Sequence, residues 1–190
     1  MKNEIINYYP TSQKEILKII TSKKQNKRIF YQKHMTHHII KNTRLNWLNK
    51  GHNCFLIRHP AKVINSYIKK NSLINIDDIG FKKQFEIFNK LKKNKINYIV
   101  INADTILQKP SKTLKKLCKL LEIRFTKKML DWPKGRRSSD GIWSKVWYKN
   151  VELSNSFSKF KKEKYNIPKK YNNIYEESLK YYNEMNQYSI

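Results

Sequence analysis

The residues best placed to do chemistry lie between Phe55 and Tyr67, where an apolar run gives way to a turn and then a helix. Arg58 ends the apolar run, Pro60 stands where a helix tolerates proline, and Ser66 follows about one and a half turns into the helix. In an open α/β sheet, a residue at the carboxyl end of a strand points into the crevice where ligands bind. A guanidinium there and a hydroxyl from the next helix could hold a phosphate from two sides. The pattern fits equally well an arginine that caps the sheet edge and a serine on a solvated helix face.

The histidines form a second group of candidates, because all five lie in one stretch: His34, His37, His38, His52 and His59. Imidazole titrates near neutral pH and therefore suits proton transfer. His34 and His38 are spaced like two metal ligands on a helix, but a few histidines without a nearby cysteine or carboxylate make a weak ligand set. We therefore expect no metal, and histidines bonded within the structure are the alternative to a catalytic role.

Length and composition indicate one packed domain over residues 1–190. Aromatic residues make up 13% of the chain and hydrophobic residues 39%, which is typical of a folded core. No apolar run reaches the roughly 18 residues of a membrane-spanning helix, and residues 1–10 do not form the apolar segment of a signal peptide. Cys54 and Cys118 are too few for a disulfide framework, so we interpret both as core residues and predict a cytoplasmic location.

The low glycine content and the high net charge limit the kinds of ligand that the chain is expected to bind. The chain has four glycines, of which Gly51 is the first, so a Walker A loop or a dinucleotide fingerprint is excluded. The formal net charge is +27, from 41 basic and 14 acidic residues, and nearly all of the basic residues are lysines. A bias towards A/T-rich codons would produce such a lysine excess. We therefore expect nucleic acid to bind only non-specifically.

Strands alternate with helices along the chain, which indicates an α/β fold with a parallel sheet and flanking helices. The predicted strands cover 28–32, 53–58 and 97–102. The predicted helices cover 15–23, 45–50, 61–70, 81–93, 111–121 and 178–186, and 131–150 is irregular. We expect Gly51 to end the second helix and Ser111 to cap the fifth. Three strands are few for a stable sheet.

The spacing of Arg58, Pro60, Ser66 and Tyr67 resembles the 3'-phosphate site of the sulfotransferase superfamily. Members of that family transfer a sulfuryl group from 3'-phosphoadenosine 5'-phosphosulfate (PAPS). Their site has an arginine after an apolar strand, a proline two residues on, and a serine eight residues after the arginine, followed by an aromatic residue. The resemblance implies a P-loop-NTPase-like sulfotransferase fold.

Two further stretches are similar to a bacterial branch of the same family. One is Phe30–His38, and the other runs from Pro110 through Phe157 and contains Leu130–Arg137. Their order and spacing agree with those of the branch, so the resemblance covers about residues 28 to 160.

The resemblance implies roles for several residues. Arg58 and Ser66 would bind the 3'-phosphate of PAPS, and Arg137, or its neighbours Arg136 or Lys134, would complete the clamp. A tryptophan-rich lid held by packing is the alternative for the last group.

Sulfuryl transfer to a hydroxyl or an amine also needs a base and a group that stabilises charge. By resemblance Lys33 is the stabiliser, and His34, His37 or His38 is the base, with His37 or His38 matching the branch better. Met35 occupies the position at which well-studied relatives have their catalytic histidine.

One part of the family pattern is missing from the sequence. The strand, loop and helix that cradle the 5'-phosphosulfate precede the lysine-bearing strand by several tens of residues in the family. Here only 27 residues precede Arg28, and they contain no glycine. We therefore expect an N-terminally incomplete homologue that is slow or inactive alone. It could be a truncated gene product, a member whose N-terminal part is supplied by a partner chain, or a degenerate homologue. The alternative is a basic, non-catalytic protein that binds nucleic acid or an anionic surface.

Overall fold

A computed structural model describes most of the chain, and its residues group into two compact units. The described residues are 2–22, 29–40, 42–138, 140–142, 144–162 and 164–190. The first unit comprises 1–32 and 124–158, and the second comprises 33–123 and 159–190. The expectation of one domain over the whole chain stays a prediction.

The second unit is built on two parallel strands. β1 (Asn53–Ile57) lies beside β2 (Tyr98–Asn102), with Ile57 opposite Asn102. Parallel strands cannot be joined by a hairpin, and the chain crosses between them through helices. The crossover contains α3 (Pro60–Tyr67), a 3₁₀ turn (Ile76–Ile79) and α4 (Phe81–Lys93). The predicted α/β fold class is therefore confirmed: a small parallel sheet is combined with helices.

Helices follow β2 and complete the second unit. α5 (Ala103–Gln108) and α6 (Pro110–Leu120) come directly after the strand, and α9 (Asn172–Asn186) packs against α3 and α4. The last residue returns to the sheet, where its N–H donates to the Val100 carbonyl at 3.0 Å. Two further 3₁₀ turns, Thr36–His38 and Asn46–Lys50, precede β1, and a third, Lys169–Tyr171, precedes α9.

The core lies on one face of the sheet. Phe55 and Val100 point towards Phe88 and Leu91 of α4 and Met185 of α9, and all five side chains are buried. On the opposite face of β1 the side chains of Cys54 and Leu56 are exposed, Leu56 by 57%. The prediction that Cys54 is a core residue is therefore wrong, whereas Cys118 on α6 is buried as predicted. An apolar run does not reveal which face of a strand is covered.

The first unit is made of short helices and loops. Its helices are α1 (Lys2–Tyr8), α2 (Gln13–Ile20), α7 (Ser144–Trp147) and α8 (Lys149–Glu152), with a 3₁₀ turn at Lys127–Met129. An isolated antiparallel bridge joins Asp131 to Ser156. Throughout the described part of the chain, each helix is too short or too polar to span a bilayer.

The prediction of a strand at 28–32 is wrong over 29–32, and Arg28 lies outside the described residues. Residues 29–32 have no regular secondary structure, and the Gln32 amide donates to the Ile20 carbonyl at 2.8 Å. β-propensity acts only where a neighbouring strand and a core face are present. Within the described residues the sheet has two strands instead of three.

Gly51 ends the Asn46–Lys50 turn as predicted, with an extended backbone. The predicted cap of α6 is wrong. Pro110 is the first residue of α6, so Ser111 lies inside the helix, because proline fits the first helical position. α9 begins six residues earlier than predicted, at Asn172.

Candidate functional site

Arg58 and Ser66 lie on consecutive pieces of the second unit. Arg58 comes directly after β1, at the sheet edge where both parallel strands have their carboxyl ends, which we call the carboxyl edge. Ser66 lies in the last turn of α3, and both side chains are exposed. Among the described residues, neither side chain has a hydrogen bond or an ion pair. An exposed guanidinium without an acidic partner is available to an anion from solution.

His59 caps the first turn of α3. Its Nδ1 accepts a hydrogen bond from the Ala61 N–H at 3.3 Å, and Pro60 follows as the first helical residue. The imidazole stacks on Tyr165 with 4.3 Å between ring centroids and meets the edge of Tyr182 at 5.4 Å. Burial lowers the pKa of His59, and the nearby Asp104 opposes this shift. Since Nδ1 is used as an acceptor, His59 acts as a helix cap and cannot also accept a proton there.

The first turns of α3 and α5 are joined by an ion pair. Lys62 Nζ lies 2.7 Å from Oδ1 of Asp104, and the two side chains are only 7% and 19% exposed. The same ammonium lies 5.3 Å from the ring centroid of Phe160. The pair thus links the two segments that leave the sheet at its carboxyl edge.

Asn102, the last residue of β2, connects this edge to α9. Its Oδ1 caps α5 by accepting from the Asp104 N–H at 2.9 Å. Its Nδ2 donates to Tyr182 Oη at 2.9 Å and to Asn186 Oδ1 at 2.8 Å. Asn102 is buried, and these bonds satisfy its amide group.

The 3₁₀ turn that carries His37 and His38 packs against the start of α4 and against the turn before it. The Thr36 hydroxyl donates to the Gly80 carbonyl at 3.1 Å, and the two imidazoles lie 4.3 Å apart. Burial, followed by the neighbouring His38, lowers the pKa of His37, while Asp78 opposes the shift. The start of α4 lies near the carboxyl end of β1, where the Gln84 amide donates to the Leu56 carbonyl at 3.2 Å, so the histidine turn packs near the strand that Arg58 follows.

The remaining residues of the His34–His38 segment are less constrained. Lys33 and His34 are exposed and precede the 3₁₀ turn in a segment without regular structure. His34 packs against the Trp47 ring at 4.9 Å, and burial lowers its pKa. The Asp78 carboxylate, which lies near His37, accepts hydrogen bonds from the N–H groups of Ile74 and Asn75 and thereby caps a turn.

Arg137 belongs to the first unit, whereas the other candidates belong to the second. Its loop is fixed by backbone bonds from Trp132 to Asn155 and from Gly135 to Glu152, both 2.8 Å. The side chains of Arg137, Arg136 and Lys134 are exposed. Whether this loop completes a clamp with Arg58 stays a prediction.

No group of three or more potential metal ligands occurs in the described part of the chain. Two open clefts, of about 150 and 370 Å³, lie between the segment 39–49 and α4. They share Leu45 and Lys90 and are lined by neither Arg58 nor Ser66. The phosphate-binding hypothesis therefore depends on the exposed edge of the sheet and not on these two clefts.

Sequence reasoning missed two residues of the carboxyl edge, Lys62 and Asp104, and did not predict that His59 caps α3. One signal was available for Asp104, because it follows the clearest predicted strand, which ends at Asn102, as the neighbouring predicted strand ends at Arg58. The carboxyl ends of parallel strands lie at one edge, so polar residues there are expected to meet.

Comparisons with known proteins agree with the resemblance seen in the sequence. Two proteins of Arabidopsis thaliana, named branched-chain-amino-acid aminotransferase-like proteins 1 and 2, are 28% and 26% identical to the chain over 182 residues. The alignments cover 96% of this chain but 33% and 32% of those proteins, so the chain spans about a third of their length. No solved structure matches the chain. A family model described as a sulfotransferase domain matches residues 1–189, beyond both ends of the stretch indicated by the motifs, and the chain belongs to that family.

Proposed function

We propose that the protein binds PAPS at the carboxyl edge of its sheet and takes part in sulfuryl transfer to a hydroxyl or amine acceptor. The observation that carries the proposal is the exposed Arg58 guanidinium directly after β1, which has no acidic partner among the described residues. Membership of the sulfotransferase family supports the choice of PAPS over other phosphorylated ligands.

The side chains proposed to hold the 3'-phosphate suit that group. Arg58 offers paired N–H donors, Ser66 on α3 offers a hydroxyl, and Arg137 would add a second guanidinium. Bound PAPS would supply the sulfuryl group for transfer. The protein's own part would be to hold the 3'-phosphate with these side chains and so orient the nucleotide.

The proton of the acceptor would pass to His37 or His38. The lowered pKa of His37 keeps its imidazole neutral at pH 7, which is the form that accepts a proton. Lys33 is exposed, precedes the histidine turn by three residues and would stabilise negative charge on the transferred group.

We further propose that the 5'-phosphosulfate is held by a partner chain that completes a P-loop-NTPase-like sheet. The edge of β1 away from β2 supports the idea, since within the described residues no other strand pairs with β1. Alone, the chain should bind nucleotide weakly and turn over slowly or not at all.

Isothermal titration with adenosine 3',5'-bisphosphate tests the binding site. We expect Arg58→Ala to weaken binding about tenfold to a hundredfold, because charge-assisted hydrogen bonds are lost. Arg44→Ala, which removes another exposed arginine of the same unit, is the matched control and should change little. The site should also prefer the bisphosphate to 5'-AMP. Equal binding by the Arg58 variant and the intact protein would refute the site.

The net charge of +27 favours one alternative, a basic protein that binds nucleic acid without catalysis. Such binding should weaken steeply with salt, because many phosphates release counterions. A site of one or two arginines should show a shallow salt dependence. Comparing the salt slopes of bisphosphate and single-stranded DNA binding separates the two functions.

The plant relatives are named for a likeness to branched-chain-amino-acid aminotransferases. The chain spans about a third of those proteins, and we do not extend that likeness to it.

A further inference from the structure

The ion pair between Lys62 and Asp104 is unusual in its position. Lys62 is the third residue of α3 and Asp104 the second residue of α5, so both lie in first turns. The amino end of a helix carries partial positive charge, which favours an aspartate and disfavours a lysine. Lys62 is also buried, and burial of an ammonium is costly unless a carboxylate accompanies it.

The backbone of Asp104 is held in place through Asn102. Its backbone N–H donates to Asn102 Oδ1, and Asn102 is bonded through its amide to Tyr182 and Asn186 of α9. The carboxylate that reaches Lys62 therefore starts from a backbone position fixed by β2 and α9. Such a satisfied polar network is stiffer than isolated surface pairs.

The other end of the connection is the segment that carries Arg58. Lys62 follows Arg58 by four residues, and the intervening His59 caps the same turn and stacks on Tyr165. Movement of the first turn of α3 would carry the Arg58 backbone with it. The ion pair and the histidine cap together fix where the Arg58 guanidinium can reach.

We propose that Asp104 is a positioning residue for the anion site: through Lys62 it fixes the first turn of α3 and thereby the placement of Arg58. This inference rests on the proposed function, because the position of Arg58 matters for function only if Arg58 binds the nucleotide. Asp104 touches no ligand in this scheme.

The first experiment compares Asp104→Asn with Glu86→Gln by titration with adenosine 3',5'-bisphosphate. Asp104→Asn keeps the shape of the side chain and removes its charge, and we expect about tenfold weaker binding, as misplaced binding groups produce. Glu86 pairs with Lys83 on α4 at 2.6 Å, with side chains 48% and 33% exposed, so its loss should leave binding unchanged. Equal effects of the two substitutions would overturn the proposal.

If Asp104 contributed only to overall stability, any substitution that destabilises the protein should weaken nucleotide binding to a similar extent. Phe88→Leu lowers stability from the core without touching the carboxyl edge. If Phe88→Leu weakens nucleotide binding as much as Asp104→Asn, loss of stability explains both effects and the proposal fails. We expect weakened binding only for Asp104→Asn.

Hydrogen exchange separates this proposal from the proposed function, because it needs no ligand. In Asp104→Asn the amides of residues 61–63 should exchange at least about tenfold faster, while those of α4 stay protected. Unchanged protection at 61–63 overturns the positioning role even if nucleotide binds. Faster exchange without any nucleotide binding to the intact protein leaves the positioning role standing and refutes the proposed function.

Swapping the charges of Lys62 and Asp104 should restore the ion pair with reversed polarity. The double variant Lys62→Asp with Asp104→Lys places the acid in the first turn of α3 and restores an attractive pair. We expect it to recover most of the protection at 61–63, and this variant also serves if Asp104→Asn does not fold. No recovery of protection in the folded double variant would count against the ion pair as the fixing contact.

Discussion

The Thr36 hydroxyl donates a hydrogen bond to the Gly80 carbonyl at 3.1 Å, and this contact joins the histidine turn to the start of α4. Gly80 has a φ of 70°, in the left-handed region that favours glycine. A Cβ on Gly80 would lie 2.7 Å from Thr36 Oγ1 and 3.2 Å from the His37 nitrogen. The histidine turn can therefore pack this closely only because residue 80 has no side chain.

Gly80→Ala should destabilise the protein and displace the histidine turn. The left-handed backbone alone costs an alanine about 1–2 kcal/mol, and the clash with Thr36 adds to it. Urea unfolding measures the change in the free energy of unfolding. Gly51→Ala is the matched control, since Gly51 has an extended backbone and nothing within 4 Å of an added Cβ, so it should be nearly neutral. Equal stability of the two variants would contradict the described packing.

Stability should fall as the pH drops from 7 to 5. Burial lowers the pKa values of His34, His37 and His59 in the folded protein. The unfolded chain has histidine pKa values of about 6.5, so it binds protons first as the pH falls below that value. The stabilisation is therefore present above about pH 6.5 and is lost as the pH falls through the lower folded values. Melting temperatures across this range measure the loss.

His59→Asn separates one contribution to this pH dependence. Asparagine is a good helix cap and does not titrate, so the variant should keep the cap of α3 and lose part of the acid sensitivity. An unchanged slope of melting temperature against pH would show that His59 makes no contribution.

The sequence predicted the core of the second unit well. Segments 53–58, 81–93 and 97–102 have strong apolar patterns, and the structure forms β1, α4 and β2 there with bounds that differ by at most one residue. The motif around Arg58 and Ser66 was enough to identify the sulfotransferase family, which the family match confirms. These predictions succeeded because each depends on local spacing along one strand or helix.

Properties that depend on tertiary neighbours could not be predicted in the same way. Residues 29–32 have strand-forming side chains, yet no strand pairs with them. Cys54 has the sequence context of a core residue but lies on the uncovered face of β1. The Lys62–Asp104 pair joins residues 42 positions apart, and only the parallel pairing of β1 with β2 brings them together.

Phe88→Ala should be among the most destabilising core substitutions. Phe88 is fully buried, and its ring lies 5.0–5.9 Å from the rings of Phe55, Tyr98 and Tyr188. Removing a ring from such a site costs about 3–5 kcal/mol, through lost burial and the cavity left behind. Ile74→Ala is the control, because that side chain is 80% exposed and its loss should cost at most about 0.5 kcal/mol. A change below about 1 kcal/mol for Phe88→Ala in urea unfolding would contradict the described core.

The two cysteines should differ strongly in their reaction with a thiol reagent. Cys54 is exposed on β1, whereas Cys118 on α6 is buried. Partial desolvation of its sulfur raises the pKa of the Cys54 thiol. At pH 7 Cys54 should therefore react more slowly than a small free thiol, and its reaction rate should rise with pH. Cys118 should react only when the protein unfolds, and mass spectrometry after timed labelling distinguishes the two sites. If Cys118 reacts as fast as Cys54 in the native protein, the packing of α6 differs from that described. If Cys54 is protected until unfolding, the face of β1 that carries Cys54 and Leu56 is covered in solution, which contradicts the exposure described.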